Sequence, residues 1–531
     1  SFYVIDFINT DIEADKLKGP FELNGNFTRN NNVIEFTGNI DNITKENIPA
    51  KFNFKSKNFS IDIDGNYTSE DGYKASLNGA ISNLAGFADN ILAPSNFLNR
   101  IISKEKMTLT SDLIISKDIF NAQNLVINSE SMKGTVSLKL AKENKTSNWN
   151  IAVGLSNLDL DALFVEKKEN KHTENVDYFL ESIQNNTFQK IKFDISENFN
   201  GVVDFSVEEI KLKNDIIKDT NLSLDFYNGK ALIHKFKSKF PGDSNVSLTG
   251  NLKHNGTRPI VQGQFKSNGK NLKKMASWLS PSLQFLPEDN LKNYSFAIDF
   301  DMSEKNMVFE NISLSFNTSQ IRGNVTLRPD DKVPFLKNDF IIDNVNLDEL
   351  NLSTKLNDYI NEIIDLAKDT NLQTSWLKNI NQNIEMSLKV SNVIYNKNPI
   401  KLLNSDINIS NSLLNVKNFQ LFSDILNINK NKVTLDIRGN NKLNYKFNVG
   451  LSSNNFNTEF FDFIDIDENV NWKTKPFETF SLEKFNGKYK IIINNFKHDN
   501  LLVDNIYVNG ALKNNNLRLD GSQIRIYGGA A

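Results

Sequence analysis

The chain contains no cysteine, so disulfide frameworks and Cys-ligated metal centres are excluded. Histidine is nearly as scarce. His172, His234, His254 and His498 are far apart, in polar or strand contexts, and read as surface residues rather than ligands or bases. No apolar run approaches the roughly 18 residues that a membrane-spanning helix needs. Gly-x-Ser-x-Gly, Walker and His-Glu-x-x-His patterns are missing, so no catalytic residue, metal or cofactor is expected and an enzyme is the least favoured class. Asp62-Ile-Asp-Gly-Asn66 touches on a calcium loop, but its glycine comes too early and Ile61 and Ile63 continue a strand. A net charge of -3 with interspersed acids and bases gives no basic excess for nucleic acid.

What is present is phenylalanine. There are 39 Phe against 12 Tyr and 4 Trp, although apolar residues make up only 39% of the chain. Asn is abundant and Ala scarce, which we read as AT-rich coding bias. The Phe, Leu and Ile recur with period 2, the signature of strands with one apolar face. The stretch Asn306 to Leu350 shows it well: Ile312, Leu314, Phe316, then Gly323, Val325, Leu327, then Phe340, Ile342, Val345. Similar runs fill most of the chain, among them one over Ile191, Phe193 and Ile195 and one ending Leu160-Asp-Ala-Leu163. Asp64-Gly65 and Asn78-Gly79 read as hairpin signals. Helical spacing interrupts the strands near 84–103, 176–190, 271–285 and 352–380, with a further helical-looking insert at Phe456 to Phe463.

The pattern repeats. Asn124-Leu-Val-Ile, Gly134-Thr-Val-Ser-Leu and Asn157-Leu-Asp-Leu-Asp-Ala-Leu163 parallel Asn311-Ile-Ser-Leu, Gly323-Asn-Val-Thr-Leu and Asn344-Val-Asn-Leu-Asp-Glu-Leu350. The spacings differ by two residues, an even number, which keeps each side chain on its own face. Such an apolar face needs a cover. A second sheet, closure into a barrel, or an open trough covered by helices and a ligand would each supply one. If about 400 residues form strands, at about 13 residues per strand and turn, the chain holds about 30 strands of about 3.3 Å rise per residue.

In this order the motifs resemble the AsmA family of bacterial envelope proteins. The strand-rich repeat closes in Leu-Asp-x-Leu, and Asn271 to Leu279 contains a Trp-Leu helix. The end of the chain carries Ile491-Ile-Ile-Asn-Asn-Phe, Leu501-Leu-Val-Asp-Asn-Ile-Tyr-Val-Asn-Gly510, Leu517-Arg-Leu-Asp-Gly521 and Ile526-Tyr-Gly-Gly529, similar to the family's C-terminal module. The resemblance implies a mainly β fold, an elongated, taco-like groove of repeating antiparallel β-sheet with short interrupting helices. It implies β-groove units over 1–382 and an AsmA C-terminal-like module over 383–531. It also implies phospholipid transport along the apolar groove toward the outer membrane, in the manner of bridge-like lipid-transfer proteins. The protein would stand in the periplasm of a Gram-negative bacterium, held in the inner membrane by an N-terminal helix that this sequence does not include, with outer-membrane proteins as partners. The chain begins at Ser1 without Met and reads as a fragment.

The expected acyl-chain lining is Phe52, Phe54, Phe59, Ile61 and Ile63, followed by Phe205, Val207, Leu222, Leu224 and Phe226. Further along come Phe296, Ile298 and Phe300, then Ile312, Leu314, Phe316, Val325 and Leu327. The last group is Val433, Leu435, Ile437, Tyr445, Phe447 and Val449. The competing reading is a structural or assembly protein of the envelope that binds protein partners by strand addition. An outer-membrane barrel is disfavoured by the helical inserts and the few Tyr and Trp.

Overall fold

The computed structural model describes residues 7–29, 32–91, 104–143, 146–163, 197–255, 258–280, 287, 291–303, 305–329, 333–358, 383–410, 413–436, 445–461, 485–498, 500–513, 516–526 and 529–530. The fold is mainly β, with 28 strands, β1 to β28 in chain order, in a single mixed sheet. Short helical segments interrupt them: α1 Leu84–Ile91, α2 Leu160–Leu163, α3 Leu272–Leu279, a helix over 352–358 and a 3-10 turn Thr458–Phe461. The helix expected near 176–190 and the strand at Ile191 to Ile195 lie outside the described residues, as does the rest of the 352–380 stretch. The chain divides into two compact units, residues 1–179 with 191–263, and residues 180–190 with 264–531.

Neighbouring strands are antiparallel except at three joins. β10 (Thr146–Asp159) runs parallel to β11 (Phe199–Leu212), β19 (Phe335–Asp343) to β20 (Asn383–Tyr395), and β24 (Tyr445–Asn457) to β25 (Phe485–His498). Strand direction then fixes where the helices fall. In the first unit α1 and α2 both follow strands of one direction, so they share a sheet edge. Leu84 of α1 and Leu163 of α2 accordingly sit in one buried cluster with Ile34, Phe59, Ile81 and Met107. In the second unit the same reasoning places α3, 352–358 and the 3-10 turn along one edge, where the rings of Tyr395 and Phe460 lie 6.3 Å apart. Burial there pushes the Tyr395 phenol up to about 12.

Four helical segments start on an Asn or Asp whose side chain accepts an amide of the first turn, the N-cap arrangement. Asn83 accepts from Gly86, Asp159 from Ala162, Asn271 from Lys274 and Asn457 from Glu459, while Asn346 accepts from Asp348 in the turn that precedes the helix over 352–358. The run Leu160–Leu163, read from sequence as a strand, is therefore a capped helical turn. At Phe456 to Phe463 the helical-looking insert is shorter than its pattern: the strand continues to Asn457 before the 3-10 turn.

The repeated Leu-Asp-x-Leu now has a physical meaning. Asp161 accepts from the amides of Lys213 and Asn214 at 2.8 and 2.9 Å, and Asp348 from those of Asn396 and Lys397 at 2.9 and 2.7 Å. All four amides belong to residues at positive φ in tight hairpin turns. The last Leu of each motif, Leu163 or Leu350, is buried. Each motif thus clasps the far hairpin of the strand joined in parallel, holding together segments about 50 residues apart. At the third parallel join side chains do the same work, through Lys497–Glu459 at 2.8 Å and Thr458–His498 at 2.8 Å. Replacing Asp161 or Asp348 by Ala removes two charge-assisted bonds whose donors can regain water. The expected cost is about 1–2 kcal/mol each, read as a lower urea midpoint. Amide exchange at the clasped turn should quicken; unchanged exchange there would count against the clasp.

Two expected hairpin signals are corrected. Asp64-Gly65 lies inside β5 (Phe59–Thr68) and Asn78-Gly79 inside β6 (Gly72–Ile81); the turn between them is at 69–71. Glycine serves there in close approach. A Cβ on Gly65 would come within 2.1 Å of the Lys74 carbonyl oxygen and 2.5 Å of the Ala75 Cα. Elsewhere a glycine lies under a neighbouring ring, as Gly38 under Phe52, Gly323 under Phe340 and Gly487 under Phe447.

Candidate functional site: the apolar face of the sheet

Cross-strand partners share a face, so the registers can be followed from strand to strand. In the first unit one row runs Ala14, Phe21, Ile40, Ala50, Gly65, Ala75, Leu113, and on through Ala122, Leu138, Ile151, Val203, Leu224, Ile233 and Gly250. It crosses every strand from β1 (Phe7–Ala14) to β14 (Ser244–Asn255) without a polar side chain. In the second unit a row runs Phe296, Leu314, Ile321, Ile342, Val390, Leu403, then Leu421, Ile428, Ser453, Ile493, Ile506 and Ile524. Ser453 is the one polar member, and its hydroxyl is used by the Asn427 and Asn455 carbonyls. A second row of that unit takes in Phe300, Phe309, Val325, Asn338, Met386, Ile407, Val416, Val433 and Val449.

Rows stack across the strands. On β5 the inward positions are Phe59, Ile61, Ile63, Gly65 and Tyr67, eight residue steps or about 27 Å. Most of these side chains are only partly buried. The opposite face is polar and laced across strands, for example by Lys51–Asp64 at 2.6 Å and by the Asn53 amide donating to Asp62 at 2.7 Å. A cavity of about 410 Å³ opens by the β10–β11 join, where Thr135, Ser137, Ala152, Gly154 and Ser206 leave room. Those small residues alternate away from the apolar rows.

The expected lining residues fall as follows. Phe52 pairs with Ile63 and Phe54 with Ile61; Phe205 pairs with Leu222, Leu224 with Val203, and Phe226 with Gly201. Phe296 pairs with Leu314 and Ile312 with Gly323, while Val433 pairs with Val449. Ile298 and Phe300 continue the face of Phe296, and Val325 stands opposite Phe309. Four expected residues are buried in the sheet: Phe59 at 3%, Val207 at 1%, Phe316 at 4% and Leu327 at 7% exposure. Leu435 holds a register position opposite Phe447, and Tyr445 one opposite Phe485. Ile437 lies outside the described residues.

Simple alternation missed Phe309 and Met307. They stand out of phase with Ile312, Leu314 and Phe316 in β17 (Met307–Phe316), yet share their face. A bulge between Phe309 and Ile312 restores the phase, and its Asn311 has φ +53°. Asn124, Asp219 and Asn418 occupy equivalent bulges at positive φ. The repeated Asn ahead of an apolar run was thus the available signal.

Asn311 also donates to Asp299 at 2.7 Å, and Gln264 donates to the other oxygen at 2.7 Å. These two bonds hold the Asp299 carboxyl below its ordinary 3.8. The ionised form therefore favours the folded sheet. This contribution is complete above pH 3.8 and disappears as pH falls through the lowered value. An NMR titration should show the Asp299 pKa rising toward 3.8 in Asn311→Ala; an unmoved titration would show the bond to be without effect.

No described helix is long and apolar enough to cross a membrane, and no group of three His, Asp or Glu that could hold a metal occurs among the described residues. The chain matches no protein-family model, no curated protein and no solved structure.

Proposed function

We propose that this protein is a lipid carrier of the AsmA-like kind, moving phospholipid with its acyl chains against the apolar face of the sheet. The observation that carries the reading is the unbroken apolar row from β1 to β14, with its counterparts in the second unit, on a face that stays partly exposed. Contiguous apolar surface open to solvent marks a place for a ligand or partner. Burying an acyl methylene gains about 0.8 kcal/mol, so a chain of about 16 carbons gains roughly 10 kcal/mol before the costs of ordering it. Because the row repeats at every strand, a chain can shift to the next strand while losing little apolar contact. Passage along such a surface needs no catalytic group.

The sequence resemblance supplies the setting: the periplasm, an inner-membrane anchor outside this sequence, and delivery toward the outer membrane. Mass spectrometry of detergent-free protein should find co-purifying phospholipid. A preparation free of lipid, and unable to take it up from vesicles, would sink the carrier reading and favour a strand-adding assembly protein.

A further inference from the structure

Two polar side chains stand on the apolar face of the second unit. Asn338 in β19 is 8% exposed and Ser405 in β21 (Asn398–Ser410) is 5% exposed. The Ser405 hydroxyl is buried with no hydrogen-bond partner. Register puts both on the inner face: Asn338 lies between Val325 and Met386, and Ser405 opposite Leu388. β20 separates them, so their Cα atoms are about 10 Å apart across the sheet and about 7 Å along it.

Such groups are costly when unanswered. Other polar side chains on this unit's inner face are answered, Ser267 by the Tyr294 hydroxyl and Ser453 by two carbonyls. Asn383 and Asn404 also carry an unpaired oxygen, but they alternate onto the polar face.

The chemistry of the pair limits what can answer it. Both can donate, and the flanking positions Val325, Phe340, Met386, Leu388 and Ile407 offer no counter-charge. The complementary group is neutral, accepts hydrogen bonds and is attached to alkyl chain; the ester carbonyl of a glycerolipid has these properties. The depth also fits. From Asn338 to Asp343, at the helix-bearing edge, is five residues or about 17 Å, and from Ser405 to Asn398 seven residues or about 24 Å. One leaflet of bilayer hydrocarbon is about 15 Å deep. A carbonyl held here leaves room for its acyl chain to run to that edge.

We propose that Asn338 and Ser405 form a hydrogen-bonding station for the ester carbonyls of a glycerolipid, setting the depth at which the lipid rides in the second unit. The proposal rests on the carrier reading. The test offers the full chain vesicles of a diacyl phosphatidylcholine or of its diether analogue with the same chains, and measures lipid retained after re-isolation. Wild-type protein should retain the diester several-fold better. Asn338→Leu with Ser405→Ala should retain both equally, with an unchanged or higher melting temperature. If the double variant folds poorly, Ser405→Ala alone should still narrow the preference. Equal retention by the wild type, or a preference that survives both substitutions, overturns the station and leaves the carrier standing. Retention of neither lipid by the wild type overturns the carrier reading itself.

Discussion

Ile312→Asp with Leu314→Asp should lower lipid transfer between vesicles by tenfold or more, while Ser313→Asp on the same strand leaves it unchanged. Ile312 and Leu314 are partly buried members of the apolar face, opposite Gly323 and Ile321, whereas Ser313 points to the exposed polar face opposite Arg322. An acyl chain passing two carboxylates must give up apolar contact or strip water from a charge. A penalty of about 1.4 kcal/mol already corresponds to a factor of ten. Phe316 would be a poor choice for this experiment, since at 4% exposure its replacement would act on folding. Circular dichroism and urea unfolding of the three proteins separate the two effects. Equal losses from Ser313→Asp and the double variant would show that the face has been assigned wrongly.

Gly65→Val should destabilise the first unit by about 3 kcal/mol, the upper end for overpacking. Its Cβ would meet backbone atoms of β6, which cannot turn aside as a side chain can. Gly79, also preceded by an Asx residue, supplies the contrast: its nearest neighbour would be the Leu109 Cβ at 3.3 Å. Gly79→Ala should therefore cost well under half as much. At Gly154 a Cβ finds only the Thr135 hydroxyl at 3.7 Å, so Gly154→Ala should be neutral or stabilising by up to about 1 kcal/mol. Urea midpoints for the three variants measure the order. Were Gly65→Val as mild as Gly154→Ala, close strand approach would not be the reason for that glycine.

These two experiments probe different levels of information. The face of Ile312 and Leu314 was legible in the sequence, because alternation is a property of one extended backbone and needs no knowledge of its neighbours. Helices such as Leu84–Ile91 and Leu272–Leu279 were legible too, since helical spacing is local, whereas the turn Leu160–Leu163 was read as a strand. The Leu-Asp-x-Leu repeat was visible as a word, but its purpose was not: the amides that Asp161 and Asp348 hold lie about 50 residues on. The same limit explains Phe309, hidden by a bulge that only pairing with β18 reveals, and Asp64-Gly65, which looked like a turn.

The amino-acid pattern alone was enough for the strands and their apolar face, both of which are local properties of an extended backbone. Only the tertiary structure decided the three parallel joins, the glycines under neighbouring rings and the burial of Phe59, Val207, Phe316 and Leu327. It also left the Ser405 hydroxyl unanswered on a largely apolar face. Each of those depends on which distant strand lies alongside, and alternation within one strand carries no record of its neighbour.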